Sequence, residues 1–307
     1  MHSILFSIGS FHVYGYGFMI AVGIICAFTI GCFLAKRSGL DDDALFSMGL
    51  VGIVGGIIGA KLLYYIVEFP SIIADPSILL NFGEGFVVYG GLIAGFLSPL
   101  IYTRIKKLSF LPYIDCAVPG VAFAQGCGRI GCFLAGCCYG KETSAWYGVT
   151  FPADCLAPAG VSLIPTQLFS AAGDFIFAII LFILQRTLYK KKKKTSGIVT
   201  AVYLMLYAVG RFLIEFLRND PRGSVGVLST SQFIAIFMFA AGAVMLSRFV
   251  KKQQLIKYFA YGTTTEIYKQ KGRQQWQKKR YQKRMQCAYL TASRFLMRCC
   301  HTSAMNL

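Results

Sequence analysis

The chain has 307 residues, of which 56% are hydrophobic and only 14% charged, with a mean hydropathy of +0.58 and a formal net charge of +18. Soluble domains carry about 25% charged and about 45–50% apolar residues, so the composition excludes an ordinary soluble enzyme, a disordered chain and a nucleic-acid-coating protein. The charge is unevenly placed: residues 1–249 hold 18 basic and 12 acidic side chains, while residues 250–307 hold 13 basic and 1 acidic.

Seven hydrophobic runs are long enough to cross a bilayer, which takes about 20 residues. In chain order they are Tyr14–Ala35, Ala44–Val67, Phe86–Ile105, Leu111–Leu134, Thr166–Arg186, Gly197–Leu217 and Ser229–Phe249. The first is too long and too Gly-rich for a cleaved signal peptide. The expected fold is all-α, a polytopic integral membrane protein with seven transmembrane helices in one domain, residues 1–249. Lys36 and Arg37, Arg104 to Lys107, Arg186 with Lys190 to Lys194, and Lys251 with Lys252 follow runs one, three, five and seven, whereas the intervening loops are poor in basic residues. Basic loops mark the cytoplasmic side, so the N-terminus is expected outside and the C-terminus in the cytoplasm. Clustered glycines such as Gly52, Gly55, Gly56 and Gly59 read as close helix packing in lipid.

Ionisable residues inside spans are expensive and generally face a polar interior. Arg129 lies near the outer end of the fourth run. Arg211, Glu215 and Arg218 follow one another in the sixth run at spacings that share a helix face, and Tyr207 extends it. With the topology above, Tyr16, Tyr89, Gln167 and Asp174 fall at the same outer depth. Lys61, near mid-span in the second run, is the exception. Arginines offer planar paired donors that stay charged, which suits a phosphate. Glu215 is placed to hold the Arg211 fork, and Gly90 and Gly91 beside Tyr89 permit close backbone approach. A phosphate at headgroup depth is a phospholipid headgroup. The bland alternative is a structural Arg211–Glu215 pair and a snorkelling Arg129.

These residues carry a resemblance to the bacterial phosphatidylglycerol–prolipoprotein diacylglyceryl transferase family. Tyr16-Gly17-Phe18-Met19 resembles its first-helix Tyr-Gly-Leu-Met, and Tyr89-Gly90-Gly91-Leu92-Ile93 its His-Gly-Gly-Leu-Ile. Gly128-Arg129-Ile130-Gly131-Cys132-Phe133 through Gly140 resembles its signature Gly-Arg-x-Gly-Asn-Phe-x-Asn-x-Glu-x-x-Gly. Pro165-Thr166-Gln167-Leu168-Phe169 is similar to its His-Pro-Ser-Gln-Leu-Tyr, and Tyr207 through Arg218 to its sixth-helix motif. The resemblance implies transfer of diacylglyceryl from phosphatidylglycerol to the lipobox cysteine thiol of a prolipoprotein signal peptide, with glycerol phosphate leaving. It implies a bacterial inner-membrane enzyme without cofactor, its site facing the outer leaflet. The implied catalytic residues are Arg129, Arg211, Tyr89 and Glu215. Phosphatidylglycerol would be held by Arg129, Arg211, Arg218, Tyr16, Tyr207, Gly90, Gly91 and Gln167. The departures fall on the proton-transfer half of the family's pattern. Tyr89 stands for the motif His, Cys132, Ala135 and Cys137 for Asn, Asn and Glu, and Ile164 for the His before Pro165.

Eleven cysteines are present, with Cys127, Cys132, Cys137 and Cys138 flanking Arg129. No His and no C-x₂-C pair accompanies them, so no metal is expected; a disulfide of Cys137 or Cys138 with Cys155 and plain packing are both open. The tail, residues 250–307, reads as a basic cytoplasmic segment attracted to anionic membrane lipid rather than to nucleic acid, disordered or a non-native extension in residues 286–307. Two rival functions keep the same spans. One binds phospholipid without transferring it; the other, a small transporter, requires a polar path through both leaflets.

Overall fold

The computed structural model describes residues 4–8, 11–80, 83–153, 155–190, 197–219, 224–225, 228–249, 274–280 and 282. The chain divides into two compact units, residues 1–249 and 250–307. In the second unit the described residues 274–280 and 282 are helical, with the Arg280 guanidinium 5.0 Å from the Trp276 ring centre.

The first unit is mostly helical. A short antiparallel hairpin, β1 (Ile4–Ile8) and β2 (Phe11–Tyr14), leads into α1 (Gly15–Arg37) and α2 (Asp42–Val67). A small α3 (Phe69–Ala74) and a 3₁₀ turn (Pro76–Leu80) precede α4 (Val88–Ile105) and α5 (Phe110–Leu134). After two-residue strands β3 (Val149–Thr150) and β4 (Ser162–Leu163) come α6 (Thr166–Lys190) and α7 (Ile198–Glu215). Strands β5 (Ser224–Val225) and β6 (Leu228–Ser229) lead to α8 (Thr230–Phe249). All seven runs expected from hydropathy are helices within a few residues of their expected ends. Six of them, all but α5, are long and apolar enough to cross a membrane, and the chain is a multi-pass membrane protein.

Local chemistry sets the ends. The Asp41 carboxylate accepts the Asp43 and Ala44 N–H groups at 3.0 and 3.3 Å and starts α2, with Asp42 and Asp43 in the first turn. Carboxylates there suit the positive end of the helix dipole. Lys36 and Arg37 close α1 at its negative end.

In lipid, apolar surface gains nothing by leaving water, so helices associate through close packing and polar contacts. Helices α2 and α4 do this through facing glycines. A Cβ at Gly90 would collide with the Gly59 carbonyl, and one at Gly59 with Ala94 and the Gly90 carbonyl. The Ser98 hydroxyl donates to the Ala94 carbonyl at 2.7 Å and lies 3.2 Å from the Val51 carbonyl across the interface.

Helix α5 is the centre of the bundle, packed against α1, α6 and α7. Leu34, Leu45, Met48, Tyr113 and Cys116 form one core among α1, α2 and α5. Val118, Ala122, Ala178, Leu181 and Val199 form a second among α5, α6 and α7. Its neighbours shield much of α5, which is why it tolerates Asp115, Gln125 and Arg129. Asp115, fully buried, accepts the backbone N–H groups of Gly197 and Thr200 and the Thr200 hydroxyl at the start of α7. Sequence reasoning missed this residue: its partners lie more than 80 positions away.

Candidate active site

A cavity of about 190 Å³ opens among α5, α6 and α7. Arg129 of α5, Asp174 of α6, and Tyr207 and Arg211 of α7 line it, together with apolar side chains such as Phe177 and Leu213. Gly173 and Gly210 leave its wall thin; a Cβ on Gly173 would meet nothing within 4 Å. Three of the residues singled out in the sequence as phosphate ligands, Arg129, Arg211 and Tyr207, therefore meet in one space, and Asp174 joins them.

Arg211 is held from two sides. Its Nη2 lies 3.0 Å from Glu215 Oε2 one turn on and donates to Ser231 Oγ of α8 at 2.7 Å. The pair is largely buried, so the guanidinium is oriented before anything binds. Tyr207 is set by its neighbour Tyr203, whose ring centre is 5.9 Å away and whose hydroxyl donates to Gln125 Oε1 of α5 at 2.8 Å. Asp174, buried and in electrostatic range of Arg129, offsets one of the two positive charges.

Other expected residues lie elsewhere. Helix α7 ends at Glu215, so Arg218 does not continue the face of Arg211 and Glu215. Instead Arg218 pairs strand-like with Gly140, and the Lys141 N–H donates to the Leu217 carbonyl at 2.9 Å. Its buried side chain reaches Cys138. Gln167, also buried, donates from Nε2 to the Cys137 carbonyl at 2.8 Å, and its Oε1 has no hydrogen-bond partner among the described residues. Tyr16, half-exposed, packs beside Gly131 and has Cys132, Cys137, Cys138 and Arg129 as electrostatic neighbours. Tyr89 is half-exposed at the start of α4 and is absent from the cavity wall; Gly90 and Gly91 are spent on the contact with α2. Lys61 is satisfied locally: its Nζ donates to the Glu84 carbonyl at 2.6 Å and sits 5.1–5.3 Å from the rings of Tyr64, Tyr65 and Phe86.

A profile of the prolipoprotein diacylglyceryl transferase family matches residues 3–248. The chain belongs to this family. It is 48% identical over 246 residues to phosphatidylglycerol–prolipoprotein diacylglyceryl transferase 2 of Clostridium perfringens, covering 80% of this chain and 94% of that protein. It is 46% identical over 254 residues to the Clostridium tetani transferase, covering 82% of this chain and all of the relative. The Clostridioides difficile transferase is 32% identical over 245 residues, or 80% of this chain and 94% of the relative.

In this member of the diacylglyceryl transferase family, the segment after α5 folds back on the helix ends. Phe151, Ala157 and Leu163 bury themselves there against Phe133 and Tyr139. Gly136 and Cys138 adopt positive φ (+67° and +64°), and the Cys137 N–H donates to the Cys132 carbonyl at 3.0 Å. This double reversal gathers the Cys132, Cys137 and Cys138 sulfurs within 4.8 Å of one another. Among the described residues, Cys137 and Cys138 are not joined to Cys155 by a disulfide. Hydrogen bonds from Cys132 and Cys137, with the Arg218 guanidinium beside it, hold the Cys138 thiol well below its usual range. The sequence sets these cysteines around Arg129, but their spacing matches no familiar ligand pattern and does not show that three of the sulfurs meet.

Proposed function

We propose that this chain transfers the diacylglyceryl group of phosphatidylglycerol to the lipobox cysteine thiol of prolipoproteins, forming a thioether and releasing glycerol phosphate. The observation that carries the reading is the pair Arg129 and Arg211 lining one cavity from α5 and α7. Displacement at the glyceryl carbon breaks a C–O bond, and the phosphate gains a second negative charge as it leaves. Two fixed guanidiniums facing that charge in a largely apolar cavity stabilise the transition state more than the bound diester. Glu215 and Ser231 orient Arg211; Asp174 keeps the cavity from binding anions indiscriminately.

The reading extends to topology. Helix α5, at 25 residues, exceeds the length needed to span a hydrocarbon core of about 30 Å and serves as a seventh span, lined by protein rather than lipid. The distribution of basic loops supports an N-terminus outside the bacterial cytoplasmic membrane and a 250–307 tail in the cytoplasm, beside anionic lipid. Arg129 and Arg211, near the far ends of α5 and α7, face the outer leaflet, where secreted prolipoproteins emerge.

The test is complementation of a bacterium depleted of its own transferase, with thioether formation on a tagged prolipoprotein read by mass spectrometry. Lipidation is expected. Its absence, with the protein present in the membrane and binding phosphatidylglycerol, overturns transfer in favour of lipid binding alone.

A further inference from the structure

The reaction needs a thiolate, yet His12, in β2, lies outside the membrane-spanning helices, and Tyr89 is not on the cavity wall; His2 and His301 lie outside the described residues. The three-thiol cluster offers another source. Its backbone is clamped: Gln167 donates to the Cys137 carbonyl at 2.8 Å and the buried Thr166 hydroxyl to the Cys138 carbonyl at 2.9 Å. Cys138 holds a positive φ that only glycine adopts without cost. Cys132 sits one helical turn from Arg129, on the same face of α5, so the cluster adjoins the arginine cavity.

We propose that Cys132, Cys137 and Cys138 bind a zinc ion and that, resting on the transferase reading, the prolipoprotein's lipobox thiol is its fourth ligand. Zinc–thiolate bonds of about 2.3 Å put tetrahedral sulfurs roughly 3.8 Å apart, a small contraction from a group already within 4.8 Å. Among the described residues no fourth His, Cys, Asp or Glu joins the group, and all three cysteines are only part-buried. Three protein ligands with an open position are the pattern of a catalytic rather than a structural zinc site. Three thiolates and one divalent ion carry one net negative charge, which Arg218 beside Cys138 and Arg129 near Cys132 offset.

A thiol that coordinates zinc is deprotonated at neutral pH. The lipobox S–H would lose its proton to outer-face water on binding. The thiolate's electron pair then forms the S–C bond to the glyceryl carbon while the C–O pair leaves with glycerol phosphate, held by Arg129 and Arg211. The thioether product is a weaker ligand than the thiolate and leaves the ion.

The experiment uses the full chain in detergent, stripped with a chelator and titrated with cobalt(II) as a spectroscopic stand-in. One ion per chain with a thiolate-to-cobalt charge-transfer band is expected. The band is lost in Cys137→Ser and Cys138→Ser, persists in Arg129→Ala and shifts on adding a lipobox peptide but not its Cys→Ser version. X-ray absorption on the zinc-loaded wild-type protein counts three sulfurs, or four with peptide, and so needs no variant to fold. Chelation should lower transfer about 100-fold, restored by zinc and not by magnesium. Absence of the band, or two of the three thiols consumed in a disulfide, overturns the site. Undiminished transfer by metal-free protein overturns the zinc role and leaves the transferase reading standing. A loaded ion that takes the peptide thiol, in a protein that never lipidates, supports the site and overturns that reading instead.

Discussion

Arg129→Ala is expected to lower diacylglyceryl transfer about 10²–10³-fold, the cost of removing one preorganised donor from a developing oxyanion. The loss should fall more on kcat than on KM. Bound phosphatidylglycerol presents a phosphodiester with one negative charge, and the departing glycerol phosphate carries two, so the guanidinium is worth more late than early. Arg211→Ala should behave alike, and the double variant should lose less than the product of the two, because both groups act on one phosphate. Lys141→Ala is the control: its side chain is exposed, and its ties to Leu217 and Ile164 run through the backbone. Steady-state transfer to a lipobox peptide in detergent or vesicles measures all four. Full activity in Arg129→Ala would remove the arginine cavity from the mechanism.

How much of this was legible in the sequence depends on the range of the interactions involved. Span positions follow from hydropathy because a bilayer imposes length, and each run appears within a few residues of its helix. Tyr207, Arg211 and Glu215 share a helix face through local periodicity, so their grouping was readable. Arg218 was not, since α7 stops at Glu215 when the chain turns to pair with Gly140. Tyr89-Gly90-Gly91 shows a different limit. Two adjacent glycines signal a close approach but not to what, and the partner is the α2 backbone at Gly56 and Gly59. The thiol cluster depends on positive φ at Gly136 and Cys138, a reversal that spacing alone does not announce.

Asp115 shows most sharply what long-range polar contacts do for the site. Gly197 at the start of α7 has no side chain with which to cap the helix. The Asp115 carboxylate does so from α5, taking two N–H groups and a hydroxyl at the positive end of the helix dipole. Asp115→Ala leaves these donors buried and unpaired, each costing about 1–3 kcal/mol before relaxation. A net loss of about 2–5 kcal/mol follows, and melting in detergent should fall by about 5–15 °C. Asp115→Asn keeps the shape and one acceptor, so its loss should be smaller. Helix α7 carries Tyr207 and Arg211 at its other end, so a frayed start loosens the wall that faces Arg129. Activity should therefore fall with the folded fraction while the KM of the surviving molecules stays near wild type, unlike the kcat loss in Arg129→Ala. An Asp115→Ala protein that melts normally would show that α7 is held by packing against Val118 and Ala122 alone.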